Sequence, residues 1–299
     1  MKNIAIIGLG IMGKNHYNIL KQLPNINIVS LCDIDNTTNY QEPFYTNIDD
    51  MLKKEKIDAA IIAAPTFLHK EIAIKCIKYN IDLFIEKPVA SSVQEALELN
   101  NIIKNSNIKS CVGHIERFNP AIKALIKEIA DKEILSVSIT RNGPFPQRIS
   151  DVGILTDLSV HDTDLIRFIT KKDIVKSSIF SSQKIHKTHE DNAVLSFILE
   201  GDILASISTS WLTPYKKRVV EIAYRETPQS NIKYIKANLL TQTLTLYNSQ
   251  TDAKEYSVPK TNALQEELNE FITYISTGDK GNLASVEDSI ITLEIANDS

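Results

Sequence analysis

Three glycines spaced as Gly8-x-Gly10-x-x-Gly13, directly after a short apolar run, constrain this chain more than any other feature. Residues 2–7 are rich in isoleucine, the composition of a strand buried on both faces. In such a turn the first glycine permits a tight reversal and the second lets the backbone approach a pyrophosphate. The third lets the following helix pack closely on the sheet. A helix from Met12 to about Gln22 would aim its N-terminal N–H groups at phosphate, so Gly8, Gly10, Ile11, Met12 and Gly13 form a candidate dinucleotide turn. A second strand, 26–32, ends before Asp33, about twenty residues past the last glycine, where a carboxylate accepts hydrogen bonds from the adenosine ribose. A carboxylate there repels a 2′-phosphate, which favours NAD over NADP; Asp35 is the reserve candidate. The competing reading is a tight glycine turn in an α/β protein that binds no ligand.

Strand-like and helix-like segments alternate through about residue 117. Strands are predicted over 58–63, 82–86 and 109–113, and helices over 48–54, 68–79 and 92–105. This βαβ rhythm predicts an α/β fold with a doubly wound parallel (Rossmann) sheet and ligands at the carboxyl ends of its strands. Functional candidates therefore follow strands: Ala64 and Pro65 with His69 just beyond, on the cofactor side, then Glu86-Lys87-Pro88, then His114. After a linking helix over 120–132 the rhythm changes. Strands are predicted over 134–141, 175–182, 192–200, 203–211 and 218–224, with a hairpin at Glu200-Gly201-Asp202 and helices over 157–169, 263–276 and 286–296. The division is a nucleotide-binding domain over 1–117 and a C-terminal α/β domain over 118–299 with a large, mostly antiparallel open sheet. The uncovered face of that sheet needs a partner, and a second subunit is the simplest one.

The formal charge of −4 argues against nucleic acid as a partner, since phosphate neutralisation needs a basic face. No apolar stretch approaches the roughly eighteen residues that span a bilayer. Glycines and Lys14 interrupt the opening apolar run before any cleavage site, which argues against a signal peptide. Cys32, Cys76 and Cys111 are far apart and lie in or beside apolar runs, as reduced core thiols do in a cytoplasmic protein.

Lys87 follows a strand at the rim where a nicotinamide would lie, and positive charge or a dipole there lowers a lysine pKa toward a useful range. Taken alone, a lysine after a strand is more often an ordinary surface residue. The sequence leaves open whether the Lys87–Pro88 bond is cis or trans. Asp157 and His161 stand one helical turn apart, and a carboxylate beside an imidazole fixes its tautomer and raises its basicity, which suits proton removal from an alcohol. The competing reading is an N-terminal cap at Asp157 with a partly buried histidine. His186 and His189 bring no third and fourth ligand at familiar spacing, so no metal site is expected.

Together, the glycine turn, Glu86-Lys87-Pro88, the run Gly113-His114-Ile115-Glu116-Arg117-Phe118-Asn119-Pro120 and Asp157-x-x-x-His161-Asp162 resemble the glucose–fructose oxidoreductase/inositol dehydrogenase/MocA family over nearly the whole chain. The resemblance implies an NAD-dependent oxidoreductase in which Lys87 and His161 are the catalytic pair and Asp157 contacts a sugar hydroxyl or the histidine. It places Glu86 and Arg117 at the cofactor, and His114, Arg117 and Asn119 on the nicotinamide and substrate side. Asn119 and Pro120 also suit a helix entry, and the two roles are compatible. Gly143-Pro144-Phe145-Pro146 and Asp151-Val152-Gly153 resemble the nucleotide-sugar branch, whose members oxidise C3 of UDP-N-acetylglucosamine or its uronic acid. A 3-keto sugar of that kind would feed a partner aminotransferase. A diphosphate needs cations, and Arg141 and Arg148 bracket the loop before the catalytic helix; Lys216, Lys217 and Arg218 read more readily as a solvated run. The alternatives are an inositol or free-sugar dehydrogenase and a dinucleotide-binding sensor without turnover. A homodimer or homotetramer through the open sheet is implied.

Overall fold

In the computed structural model, which describes residues 1–36, 39–146 and 152–297, the apolar runs of the first half become six strands. They are β1 (Lys2–Ile7), β2 (Ile26–Cys32), β3 (Phe44–Tyr45), β4 (Ala59–Ile62), β5 (Asp82–Glu86) and β6 (Ser110–Gly113). Helices α1 (Ile11–Leu20), α2 (Ile48–Lys54), α3 (His69–Ile77) and α4 (Val93–Lys104) alternate with them. The strands pair in parallel in the order β3-β2-β1-β4-β5-β6. Ile4, Ala5, Ile6, Ala59, Ala60, Ile61, Ile62, Leu83, Phe84 and Ile85 are fully buried, because helices cover both faces and leave no place for a polar side chain. Asn47 and Ser92 cap α2 and α4 by accepting the N–H groups of Asp49 and Glu95. Strand order reverses between β1 and β4, and such a reversal opens a ligand crevice at the carboxyl ends.

The second sheet follows α5 (Pro120–Glu128). It contains β7 (Glu133–Pro144) and, after α6 (Val160–Thr170), the strands β8 (Ile174–Ser182), β9 (Asn192–Leu199), β10 (Ile203–Ser210) and β11 (Leu212–Arg225). Three further strands, β12 (Lys233–Asn238), β13 (Thr243–Tyr247) and β14 (Ala253–Ser257), were not expected from the sequence. The order is β14-β13-β12-β11-β7-β10-β9-β8, antiparallel throughout except between β7 and β10. The β9–β10 hairpin turns at Gly201 and Asp202, both at positive φ, as the Glu200-Gly201-Asp202 signal requires. One face, with Val137, Ile139, Leu195, Phe197, Ile207, Ile222 and Ile235, is buried under α5 and α6. The other carries Phe180 at 72% exposure and Leu204 at 62%, around an in-register row of Ser178, Ser196, Ser206 and Ser138.

The chain closes with α7 (Ala263–Thr277) and α8 (Val286–Asn297). Here the expected division at 117/118 needs correction. Residues 1–115 and 262–291 form one compact unit, and residues 116–261 with the chain from 292 form the other. The reason is the apolar stripe of α7: Phe271 packs edge-on against Phe84 of β5 at 5.5 Å, and Lys109 donates to the Ile275 carbonyl. A bridge between Val112 and Ala284 adds backbone pairing beside β6. No described helix is long and apolar enough to cross a membrane. Cys32, Cys76 and Cys111 are buried and free, and burial pushes the Cys76 thiol up to about 12, so these are inert core thiols.

Candidate active site

The turn between β1 and α1 is built from backbone that tolerates no side chain at two positions. Gly8 lies at φ +91°, and a Cβ there would overlap the backbone of Ala63 and Ala64 at the end of β4. A Cβ at Gly13 would overlap the Gly8 carbonyl. Gly10 is different: its φ is −65° and nothing lies within 4 Å of the position a Cβ would take. It also caps α1 with no side-chain oxygen, leaving the first N–H groups of the helix for an outside acceptor. A strained first glycine, an open second and a tightly packed third are what a pyrophosphate at a helix N-terminus needs. Asp33 holds the turn from the end of β2, accepting the Leu9 N–H at 2.5 Å through one carboxylate oxygen and the Asp35 N–H at 3.3 Å through the other. Asp33→Ala is expected to weaken NAD binding by about tenfold, in line with one charge-assisted hydrogen bond, and to narrow the preference over NADP. Parallel titrations with both cofactors check this; an unchanged preference would remove Asp33 from the ribose.

Two strands along the same sheet edge, β5 ends in Glu86, followed by Lys87 and Pro88 across a cis peptide bond. Glu86 is buried and accepts from His16 of α1 at 2.6 Å; its other oxygen accepts the Lys87 N–H at 3.3 Å. Burial alone would raise the Glu86 pKa, but the bond and charge of His16, with Lys87, hold it below the ordinary carboxylate range. Lys87 itself is half-buried. His69, at the start of α3, is 1% exposed and sets both ring nitrogens against carbonyls, Ala64 at 2.8 Å and Pro88 at 2.9 Å. The expected cofactor contact from His69 is therefore corrected to a brace between two loops at the strand ends. His114, just after β6, is 2% exposed.

In the second unit the Asp157-x-x-x-His161 motif starts on a π-helical turn, Leu155–Ser159, and continues as α6. The α-helix expected over 157–169 is thus wider where Asp157 sits, a form concentrated at functional sites. Glu190 fixes this start: its carboxylate accepts the Leu155 N–H at 3.0 Å and its carbonyl the Ile154 N–H at 3.0 Å. The same carboxylate fills the space that a Cβ at Gly153 would take, which explains the glycine. Asp157 is half-buried and His161 is 9% exposed.

Behind His161 lies a buried charge network. Arg141 of β7 grips Asp162 with Nε and Nη2 (2.7–2.9 Å) and Glu116 with Nη1 at 2.9 Å. Arg218 of β11 pairs across the sheet with Arg141 and donates to Glu116 at 3.2 Å. Burial pulls the Arg141 pKa down, and the Asp162 and Glu116 carboxylates more than offset it, so the guanidinium stays charged. Arg141 is 3% exposed, which overturns its expected role at a diphosphate. Removing it would leave two buried carboxylates short of a partner. Arg141→Ala is expected to cost about 3–5 kcal/mol of folding stability, read from the urea midpoint; a loss under about 1 kcal/mol would show that the network does not depend on it.

Residues 2–114 match the sequence model of an oxidoreductase family with an NAD-binding Rossmann fold, and residues 121–226 match the GFO/IDH/MocA C-terminal domain. This chain belongs to the GFO/IDH/MocA oxidoreductase family. Its first unit is accordingly an NAD-binding Rossmann fold, and the glycine turn has the geometry to hold the dinucleotide. Relatives include an uncharacterised oxidoreductase of Bacillus subtilis, 26% identical over 69% of this chain and 66% of its own length. A glucose-6-phosphate 3-dehydrogenase of the same organism is 26% identical over 65% and 61%. A myo-inositol 2-dehydrogenase of Thermotoga maritima is 24% identical over 69% and 68%. The chain spans about two thirds or less of the length of the first relatives it matches. Among solved structures, the UDP-N-acetylglucosamine 3-dehydrogenase of Acidithiobacillus ferrooxidans superimposes with a TM-score of 0.86, covering 99% of this chain and 95% of that one at 22% identity, a likeness of fold. An Agrobacterium radiobacter oxidoreductase solved with NAD+, L-tartaric acid and magnesium gives 0.85 over 99% and 94%, at 16% identity.

Within this GFO/IDH/MocA chain the remaining expected site residues divide. Arg117 is 6% exposed and forks onto Asp164 at 2.8 and 2.5 Å, stacking on Phe168, so it is built into the second unit's core. Asn119 caps α5 through the Ala121 N–H and gives its amide to Glu116 and the Leu239 carbonyl, which is the helix-entry role. Arg148 and Asp151 lie outside the described residues. His186 accepts the N–H groups of Thr188 and His189 at its Nδ1, and among the described residues no group of three His, Cys, Asp or Glu could hold a metal. His16, Glu116 and Asp162 emerge as buried polar groups of the site only in the fold. All three stood inside or beside quoted motifs, but each has polar neighbours in the chain, so nothing local marked it as buried.

Proposed function

We propose that this protein is an NAD-dependent dehydrogenase that oxidises a secondary alcohol of a sugar, the C3 hydroxyl of UDP-N-acetylglucosamine, to a 3-keto sugar. The observation that carries the dehydrogenase reading is the position of Lys87 at the carboxyl end of β5, on the same sheet edge as the glycine turn. Bound NAD supplies the hydride acceptor. His161, with Asp157 on the preceding turn, takes the hydroxyl proton, and Lys87 donates a hydrogen bond to the oxygen as it gains negative charge. For the sugar, the support is the near full-length likeness to a UDP-N-acetylglucosamine 3-dehydrogenase, with a glucose-6-phosphate 3-dehydrogenase among the relatives; both names specify position 3. The inositol 2-dehydrogenase relatives favour a free cyclitol as the second reading. The product, a keto sugar, is the substrate class of an aminotransferase. We further propose that the serine-rich face of the eight-stranded sheet pairs with the same face of a second copy, which a solution mass of one chain would exclude.

The test is a spectrophotometric assay of purified protein with NAD against UDP sugars, glucose 6-phosphate, free sugars and cyclitols, following reduced nicotinamide. Turnover with UDP-N-acetylglucosamine well above the others is the expected result. Turnover with inositol alone would overturn the nucleotide-sugar reading, and cofactor binding with no turnover on any of them would favour a sensor.

A further inference from the structure

His16 is fully buried in α1, three residues past Gly13, and no part of the dehydrogenase chemistry above uses it. Its ring stands edge-on to Phe84 at 5.1 Å, and its Nε2 meets the Glu86 carboxylate at 2.6 Å, while Nδ1 has no hydrogen-bond partner. The helix that opens on the phosphate turn is thereby tied by one short buried contact to the strand end that carries Lys87. Room for that contact is provided: Glu86 lies opposite Gly113 in the β5–β6 register, and a Cβ at Gly113 would stand 3.2 Å from a Glu86 carboxylate oxygen. The same carboxylate accepts the Lys87 N–H, and on the far side of Lys87 the Pro88 carbonyl is held by His69. Lys87 therefore sits at a corner clamped before and after it, with His16 as a side-chain partner of Glu86.

We propose that His16 is a positioning residue for the reaction: its Nε2–H holds the Glu86 carboxylate, and Glu86 fixes the Lys87 corner relative to the helix of the dinucleotide turn. This rests on the dehydrogenase reading but not on the identity of the sugar. The experiment uses whichever member of the panel reduces NAD fastest, so a failure of UDP-N-acetylglucosamine as substrate and a failure of His16 are separate results.

His16→Leu, His16→Gln, Glu86→Gln and the Leu/Gln double variant are compared in the full chain by kcat, KM and NADH affinity. His16→Leu is expected to lower kcat by about ten- to hundredfold, the scale of a small misplacement at a reacting group, with sugar KM and NADH affinity within about threefold of native. His16→Gln, which restores a donor toward Glu86, should recover most of the loss, and it also guards against a leucine variant that fails to fold. Because His16 acts through Glu86, the double variant should be no slower than Glu86→Gln alone. A folded His16→Leu protein with native kcat would overturn the proposal, as would multiplying losses in the double variant or a defect confined to NADH affinity. A reading free of any substrate comes from nitrogen-edited NMR of histidine-labelled protein. A hydrogen-bonded His16 ring proton that vanishes in Glu86→Ala, which removes the acceptor, is expected, and its absence in the native protein would equally overturn the proposal.

Discussion

Replacing Lys87 or His161 by alanine is expected to lower kcat by about 10²–10⁴-fold, the usual contribution of a positioned acid or base, while NAD affinity stays within about threefold. The separation follows from where the two residues sit. Lys87 projects from the end of β5, whereas the turn at Gly8, Gly10 and Gly13 is held by its own backbone and by Asp33 and stands without it. His161 belongs to the second unit, on α6, and is held by a helix whose start Glu190 fixes and whose next residue, Asp162, is gripped by Arg141. Single-turnover kinetics with fluorescence titration of NADH check both halves. A variant that turns over at near-native rate removes that residue from the chemistry, and one that loses NADH first assigns it to cofactor binding instead.

Gly13→Ala is expected to raise the NADH dissociation constant on the order of a hundredfold, about 2.8 kcal/mol at 1.4 kcal/mol per tenfold. The added methyl collides with the Gly8 carbonyl, which is backbone and cannot rotate away, so α1 must lift off the turn. Gly10→Ala supplies the contrast. Its φ of −65° suits any residue and its Cβ meets nothing in the protein, so the fold should keep its native melting temperature. Affinity should fall all the same, because the methyl occupies the space that a pyrophosphate needs. A Gly10→Ala protein with native NADH affinity would remove the dinucleotide from this turn.

The first sheet was legible because each of its longer strands is short and centred on apolar residues, and such runs alternating with helices mark a parallel α/β sheet. Only β3, two residues long, carried too little pattern. The outer strands of the second sheet escaped for the opposite reason. β14, Ala-Lys-Glu-Tyr-Ser, is exposed at every residue and is held by ladder hydrogen bonds to β13, so hydrophobic periodicity has nothing to report. At the site, the glycine turn could be read because local backbone geometry dictates it. Arg141 could not: its position before the Asp157/His161 helix resembled a phosphate reader, and only the folded chain brings Asp162 of α6 and Glu116, 21 and 25 residues away, onto its guanidinium. The same limit applies to His16, whose partner Glu86 lies 70 residues along the chain.

The homecoming of α7 sets a timetable for synthesis. Phe84 meets Phe271 only after the roughly 146 residues of chain between the two segments of the Rossmann unit have been made. At ribosomal speeds of about 5–20 residues per second, that is on the order of 7–30 s. For that interval the nascent nucleotide-binding sheet keeps an aromatic flank bare, and a chain stalled near residue 261 offers chaperones and proteases an unfinished domain with all six of its strands already translated.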